Sequence, residues 1–197
     1  MILGFHFIFS AYGFWLPNDP RGSWSKTIRS YELVRFGPAT KVATTRSVAA
    51  NKHDHAKRLA AKAALKHTPV HFTGEQAHAI ARGFAKACEE GGYRPLALAV
   101  LPDHAHLLLA YHTRHINAIA AHLKSKATRA LTDAKLNPMK SYASSSGRAP
   151  SPWARKYWCP FIRSEQYMHT AVKYVNDNPI KAGLPRQSWK FVKPYTR

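Results

Sequence analysis

The chain has 197 residues, 45% of them apolar, with 30 Lys and Arg against 10 Asp and Glu, a formal charge of +20. That is enough to fold one domain around a real core, too apolar for disorder, and basic enough to call for a polyanionic partner, since each neutralised phosphate releases condensed counterions. Two cysteines, Cys88 and Cys159, exclude a disulfide framework and a Cys-rich zinc site and fit a reducing cytoplasm, while the absence of a basic leader and of any long apolar run argues against secretion and a membrane span.

The first run, Gly4 to Tyr12, is short and rich in Phe and Ile, as expected of a buried strand. It ends in a turn-rich segment, Phe14-Trp15-Leu16-Pro17-Asn18-Asp19-Pro20-Arg21-Gly22. Between residues 21 and 67 lie eleven basic residues, Arg46 among them, opposed only by Glu32 and Asp54. This stretch, about 23–68, is read as a basic insertion, partly helical and mobile without a partner.

Thr73 and Gln76 have the form of a capping box. The stripe Ala77, Ile80, Ala81, Phe84, Ala85 and Cys88 continues it as an amphipathic helix that Gly91-Gly92 stops. Leu96 to Leu101 and His104 to His112, joined at Pro102-Asp103, read as a tight antiparallel pair. A second helix is predicted over His115 to Thr132, with Ile116, Ile119, Ala120, Leu123, Ala127 and Leu131 inward. Asn137 to Pro152 reads as a flexible loop, Tyr157 to Arg163 as a short strand, and a last helix runs from about Glu165 to near Pro179, followed by a tail over 185–197. The order strand, helix, strand, strand, helix, strand, helix predicts a single α+β domain over 1–197, a ferredoxin-like sandwich with one antiparallel sheet backed by helices and the insertion after its first strand.

Two constellations carry chemistry. Alternation along a strand puts His104 and His106 on one side, where two imidazoles can hold one divalent ion and leave positions open. With 12 histidines in the chain, a His-x-His by chance is common, and two strand histidines satisfied by backbone or solvent are the plainer reading. Tyr174 and Asn178 are spaced to share a helix face, although the position before Pro179 disfavours helical geometry at Asn178. Periodicity alone favours a structural tyrosine, because Tyr167, Ala171, Tyr174 and Val175 form a core-like stripe. A tyrosine oxygen attacking a DNA phosphate, with a cation taking up the developing charge, would exchange the phosphodiester rather than hydrolyse it, and an Asn oxygen suits a third ligand beside two histidines.

Leu101-Pro102-Asp103-His104-Ala105-His106-Leu107, Tyr174 to Leu184 (YVNDNPIKAGL), Phe14 to Gly22 (FWLPNDPRG) and Trp158-Cys159-Pro160-Phe161 together resemble the single-tyrosine HUH transposases, especially the REP-associated tyrosine transposases. The resemblance implies a Mg²⁺ or Mn²⁺ site from His104 and His106 completed by Asn178, with Tyr174 as nucleophile. It also implies a single-stranded DNA substrate, often presenting a hairpin, and leaves monomer and homodimer open. The insertion from Ser23 to Thr68 and the loop near Ser144 are longer than this pattern expects. Contacts to DNA are expected from Arg21, Lys124, Lys126, Arg129, Arg155, Lys156 and Arg163, with Trp15, Trp24 or Trp153 for stacking. The competing readings are a non-catalytic nucleic-acid-binding module on the same fold and another HUH nuclease such as a replication initiator or relaxase.

Overall fold

The computed structural model describes residues 1–44 and 48–195, so Arg46 and the last two residues of the tail lie outside it. Its order is β1 (Gly4–Ser10), α1 (Tyr31–Val34), α2 (His55–Ala63), α3 (Gly74–Gly91), β2 (Pro95–Val100), β3 (His104–Ala110), α4 (Ile116–Asp133), a 3₁₀ turn (Lys140–Tyr142), β4 (Phe161–Ile162) and α5 (Glu165–Lys181). The four strands form one sheet in the order β2-β3-β1-β4, every neighbour antiparallel. β3 thus separates β1 from β2, which run parallel to each other. That is the split β-α-β arrangement of the ferredoxin-like sandwich.

Alternation divides the sheet into two unequal faces. Phe5, Phe7, Phe9, Leu98, Val100, Ala105, Leu107 and Leu109 point into the larger core, where α3 and α4 supply Ile80, Phe84, Ile119, Leu123 and Leu131. Ala97, Ala99, Leu108 and Ile162 point the other way, against Met168, Ala171 and Val175 of α5. The predicted capping box opens α3, with Thr73 accepting from the Gln76 N–H and Gln76 accepting from the Thr73 N–H; Gly92, at φ +65°, closes it. Ile119, Ala120, Leu123, Ala127 and Leu131 are buried on α4 as their spacing requires, while Ile116 is only partly so.

The segment after α5 covers the open edge of β2. Gln187 exchanges two hydrogen bonds with the Val100 backbone at 2.8 and 2.7 Å, Trp189 donates its indole N–H to the Leu98 carbonyl, and the Lys193 N–H reaches the Pro95 carbonyl. An exposed strand edge invites pairing with other chains, and here that edge is occupied.

The described part of the insertion packs on a small core. Leu16, Leu33 and Ala61 form a small core of their own with Ile28, Phe36 and Leu65. Buried Asn18 donates to the Leu33 carbonyl, Asp19 takes a bidentate pair from Arg21, and Ser23 donates to the Pro17 carbonyl at 2.6 Å. The FWLPNDPRG segment is therefore the staple on which α1 and α2 are hung.

Candidate functional site

His104 and His106 lie on the α5 side of the sheet, as alternation requires. Their Nε2 atoms are 3.0 Å apart. On the far side of His104, Nδ1 meets Asp103 Oδ1 at 2.6 Å, and Phe14 lies parallel to the ring with centroids 5.2 Å apart. The turn before the insertion thus holds one ring of the pair from outside the sheet.

A third histidine, His6, completes the cluster. On β1, Phe5, Phe7 and Phe9 claim the larger core, so His6 must face α5. Its Nε2 lies 3.0 Å from Nδ1 of His106, and the two residues are only 6% and 2% exposed. Burial lowers the His6 pKa to about 4 and holds His106 well below its ordinary value, with the neighbouring His104 and His6 adding to the effect on His106. Both rings are neutral at neutral pH, the form able to ligate a metal. The signal for His6 lies in the Phe-x-Phe-x-Phe alternation, which sets it on the face opposite the three phenylalanines.

Tyr174 reaches this cluster from α5. Its ring stands at 90° to His106 with centroids 5.4 Å apart and at 67° to His6 at 6.2 Å. It is 43% exposed, while Ala171 and Val175 beside it are buried. The core-stripe reading of Tyr174 is thereby corrected: the buried line of α5 runs through Met168, Ala171, Val175 and Pro179, leaving Tyr174 on its flank. Lys181 lies with its ammonium 5.5 Å from the Tyr174 ring centre.

Asn178 lies within α5 despite preceding Pro179. Pro179 has no N–H to give the Val175 carbonyl, and the helix ends two residues later, where Leu184 N–H returns to the Pro179 carbonyl at 2.8 Å beyond Gly183, at φ +72°. One turn past Tyr174, the Asn178 amide nitrogen is buried with no hydrogen-bond partner among the described residues. An amide so placed is an unused polar group beside the nucleophile candidate. Among the described residues no group of three or more His, Cys, Asp or Glu is arranged to hold a metal. A cation here would draw on His104 Nε2 and His106 Nε2 and would need an amide oxygen and exogenous oxygens for the rest. Two imidazole nitrogens 3.0 Å apart suit part of that set; the unpartnered Asn178 atom is its amide nitrogen, a donor that does not ligate, so an oxygen ligand from Asn178 requires the amide turned over.

The basic residues fall into two groups. Lys124 donates to the carbonyls of Ala154 and Arg155 at 2.7 and 3.3 Å, and burial lowers its pKa to about 8. Lys126 pairs with Glu90 at 2.8 Å, and Arg21 is locked between Asp19 and the Trp15 ring, 3.9 Å from its centre. These three are engaged within the fold. Arg129, Arg155, Lys156 and Arg163 are exposed. Trp153 corrects the expectation of a stacking platform, since it is 2% exposed among Phe9, Phe72 and Phe84. Trp24, by contrast, is exposed and stacks on Trp158, centroids 5.2 Å apart. Trp15 donates its indole N–H to the Gly22 carbonyl.

The family model described as "Transposase IS200 like" matches residues 63–178, a span that contains both histidines of β3, Tyr174 and Asn178. A curated Haemophilus influenzae protein named "Putative REP-associated tyrosine transposase" is 31% identical over 104 residues, 51% of this chain and 57% of the relative. The chain therefore spans little more than half of that relative's length. Among solved structures, a REP-associated tyrosine transposase bound to a REP hairpin is 14% identical at a TM-score of 0.49, covering 96% of this chain and 74% of that one. A "putative transposase" from Deinococcus radiodurans is 15% identical at 0.45, covering 90% and 91%.

Proposed function

The chain belongs to the IS200-like transposase family, and on that premise we propose that it is a metal-dependent endonuclease and strand transferase acting on single-stranded, hairpin-containing DNA through a covalent 5′-phosphotyrosine at Tyr174. The observation that carries the reading is the placement of an exposed tyrosine edge-on to a buried histidine cluster. A tyrosine kept only for packing would have followed Ala171 and Val175 into the core.

In this reading the Tyr174 hydroxyl oxygen bonds to the scissile phosphorus, the phenol proton leaves, and the phosphorus–O3′ bond breaks to release a 3′-hydroxyl. The DNA 5′ end stays on Tyr174, so attack by another 3′-hydroxyl reverses the step and joins a new strand without ATP. His104, His106 and the Asn178 amide oxygen would hold a Mg²⁺ or Mn²⁺, which when bound would supply a positive charge to the phosphate. Asp103 and Phe14 fix the His104 ring. The exposed Arg129, Arg155, Lys156 and Arg163, with Trp24, hold the strand by charge and stacking. A hairpin as the recognised element is part of the proposal; the curated relative's name says only that it is REP-associated.

The test is a denaturing-gel assay for a covalent adduct between the protein and labelled hairpin oligonucleotides with Mn²⁺. Wild type is expected to form an adduct that chelator prevents, and Tyr174→Phe none. An adduct in both proteins would mean another nucleophile. Tight binding with no adduct across a broad pool of hairpins would instead make the chain a non-catalytic DNA-binding member of the family.

A further inference from the structure

Asp103, His104, His106 and His6 form one line of close polar contacts across the α5 face of the sheet. Asp103 Oδ1 and His104 Nδ1 are 2.6 Å apart, His104 Nε2 and His106 Nε2 are 3.0 Å apart, and His106 Nδ1 and His6 Nε2 are 3.0 Å apart. A carboxylate only accepts, and a neutral imidazole has one N–H and one lone pair. The His104 proton therefore sits on Nδ1, facing Asp103, and its Nε2 is a lone pair.

The two buried rings then have two consistent arrangements. In the first, His6 Nε2–H donates to His106 Nδ1 and His106 Nε2–H donates to His104 Nε2. Every contact is a hydrogen bond, and His106 offers nothing to a cation. In the second, His106 Nδ1–H donates to His6 Nε2, so the Nε2 lone pairs of His104 and His106 confront each other at 3.0 Å. That arrangement is repulsive unless a cation sits before both.

We propose that His6 is a positioning residue of the strand-transfer site, whose Nε2 accepts the His106 Nδ1 proton when a divalent cation binds, so that the His6–His106 pair exchanges tautomers with cation binding. The proposal rests on the metal reading of His104 and His106. Protons balance: the one shared by the pair moves from His6 Nε2 to His106 Nδ1, His106 loses its Nε2 proton to solvent, and His6 takes one up at Nδ1. Binding then releases no net proton from this pair. The same exchange holds the two rings against which Tyr174 stands, at 5.4 and 6.2 Å. Residues that hydrogen-bond a metal-ligating histidine in this way commonly change metal affinity about 10- to 100-fold when removed.

The test uses the full chain without DNA and compares wild type, His6→Leu and His6→Gln. Mn²⁺ affinity is read by calorimetry, and imidazole tautomers of the wild type by ¹⁵N NMR with and without Mg²⁺. The expected result is a loss of about 10- to 100-fold in His6→Leu, most of it recovered in His6→Gln, whose amide oxygen can accept from Nδ1. In the wild type, His106 should pass from the Nε2–H to the Nδ1–H form as Mg²⁺ is added. Wild-type affinity in His6→Leu, or one His106 tautomer throughout, would overturn the role of His6 alone. A wild type that binds neither Mn²⁺ nor Mg²⁺ would remove the metal reading and this inference with it.

Discussion

Tyr174 stands perpendicular to His106, ring centroids 5.4 Å apart, although one belongs to the last helix and the other to a central strand. The two come together because α5 packs across the face of β2 and β3 that β1 leaves lined with small residues and His6. A one-residue slip of β1 would move His6 to the opposite face, since the side-chain period of a strand is two. The nucleophile candidate and the proposed ligands are thus held by the core of the sheet, not by loops.

Removal of the proposed ligands should separate catalysis from binding. His104→Ala is expected to abolish Mn²⁺-dependent cleavage, a loss of about 10²-fold or more if the cation carries transition-state charge. Salt-sensitive DNA binding should survive, because His104 is only partly buried and the charged surface is untouched. His106→Ala should do the same at greater cost in stability. Asn178→Ala should raise the Mn²⁺ requirement less than either histidine change, and an unchanged metal titration would take Asn178 out of the site. Cleavage and filter binding, measured side by side over a metal titration, check all three.

The two groups of basic residues should behave differently. Lys124 is a partly buried ammonium holding the Ala154 and Arg155 carbonyls, so Lys124→Ala is expected to lower unfolding free energy by about 1–3 kcal/mol through loss of these charge-assisted hydrogen bonds. Arg155→Ala with Lys156→Ala should leave unfolding within about 0.5 kcal/mol. If both contact phosphates, the double change should reduce the slope of log affinity against log salt by about 0.7 per charge on single-stranded DNA. Urea denaturation and binding between low and moderate salt would show whether the effects divide this way. A salt slope unchanged in the double variant would move the DNA path elsewhere.

What the sequence made legible followed from local periodicity. The capping box at Thr73, the stripes of α3 and α4, the His-x-His strand and the strand-helix order could be read because neighbours three, four or two residues apart report on one face. What escaped depended on partners far along the chain. His6 meets His106 a hundred residues away. Tyr174 sits at core-like spacing yet lies on the helix flank, because the sheet chooses Ala171 and Val175. The insertion read as loosely held because its staples are polar and scattered: Asn18 on Leu33, Thr40 on Asp19, and Arg21 folded back on Asp19 and Trp15. Trp153, expected with Trp15 and Trp24 as a stacking surface, is taken into the core by Phe9, Phe72 and Phe84.

Gly83 gives a prediction that runs against helix propensity. In the middle of a helix, Gly→Ala ordinarily stabilises by about 1 kcal/mol. Here a Cβ on Gly83 would fall 2.5 Å from the Ala127 Cα and 2.5 Å from the Lys126 carbonyl oxygen. Both are backbone atoms of α4 that cannot rotate away, so α3 and α4 would have to separate. Gly83→Ala is expected to destabilise by about 1–3 kcal/mol, the usual range for overpacking. A gain in the urea midpoint would show that the helices can move apart at little cost.

The buried histidines predict a window of pH dependence. His6 is held at about 4 by burial, and His106 is lowered in the same direction. In the unfolded chain both take up a proton near pH 6.5. Between these values the unfolded state binds more protons, so the stability these rings confer is complete above about pH 6.5 and declines as pH falls toward 4, by at most about 1.4 kcal/mol per pH unit per ring. Below about 4 His6 protonates in the folded state as well and its contribution levels off. Two carboxylates are held below their ordinary values by basic neighbours, Asp177 by Lys173 and Glu90 by Lys126 and His122. Urea midpoints of the chelated protein, taken at half-unit steps, should fall through the window, and His6→Gln should flatten the slope by about half. A flat profile from 6.5 to 4.5 would mean that the cluster admits a proton without opening, and that His6 and His106 are less tightly enclosed than their contacts with each other and with Tyr174 require.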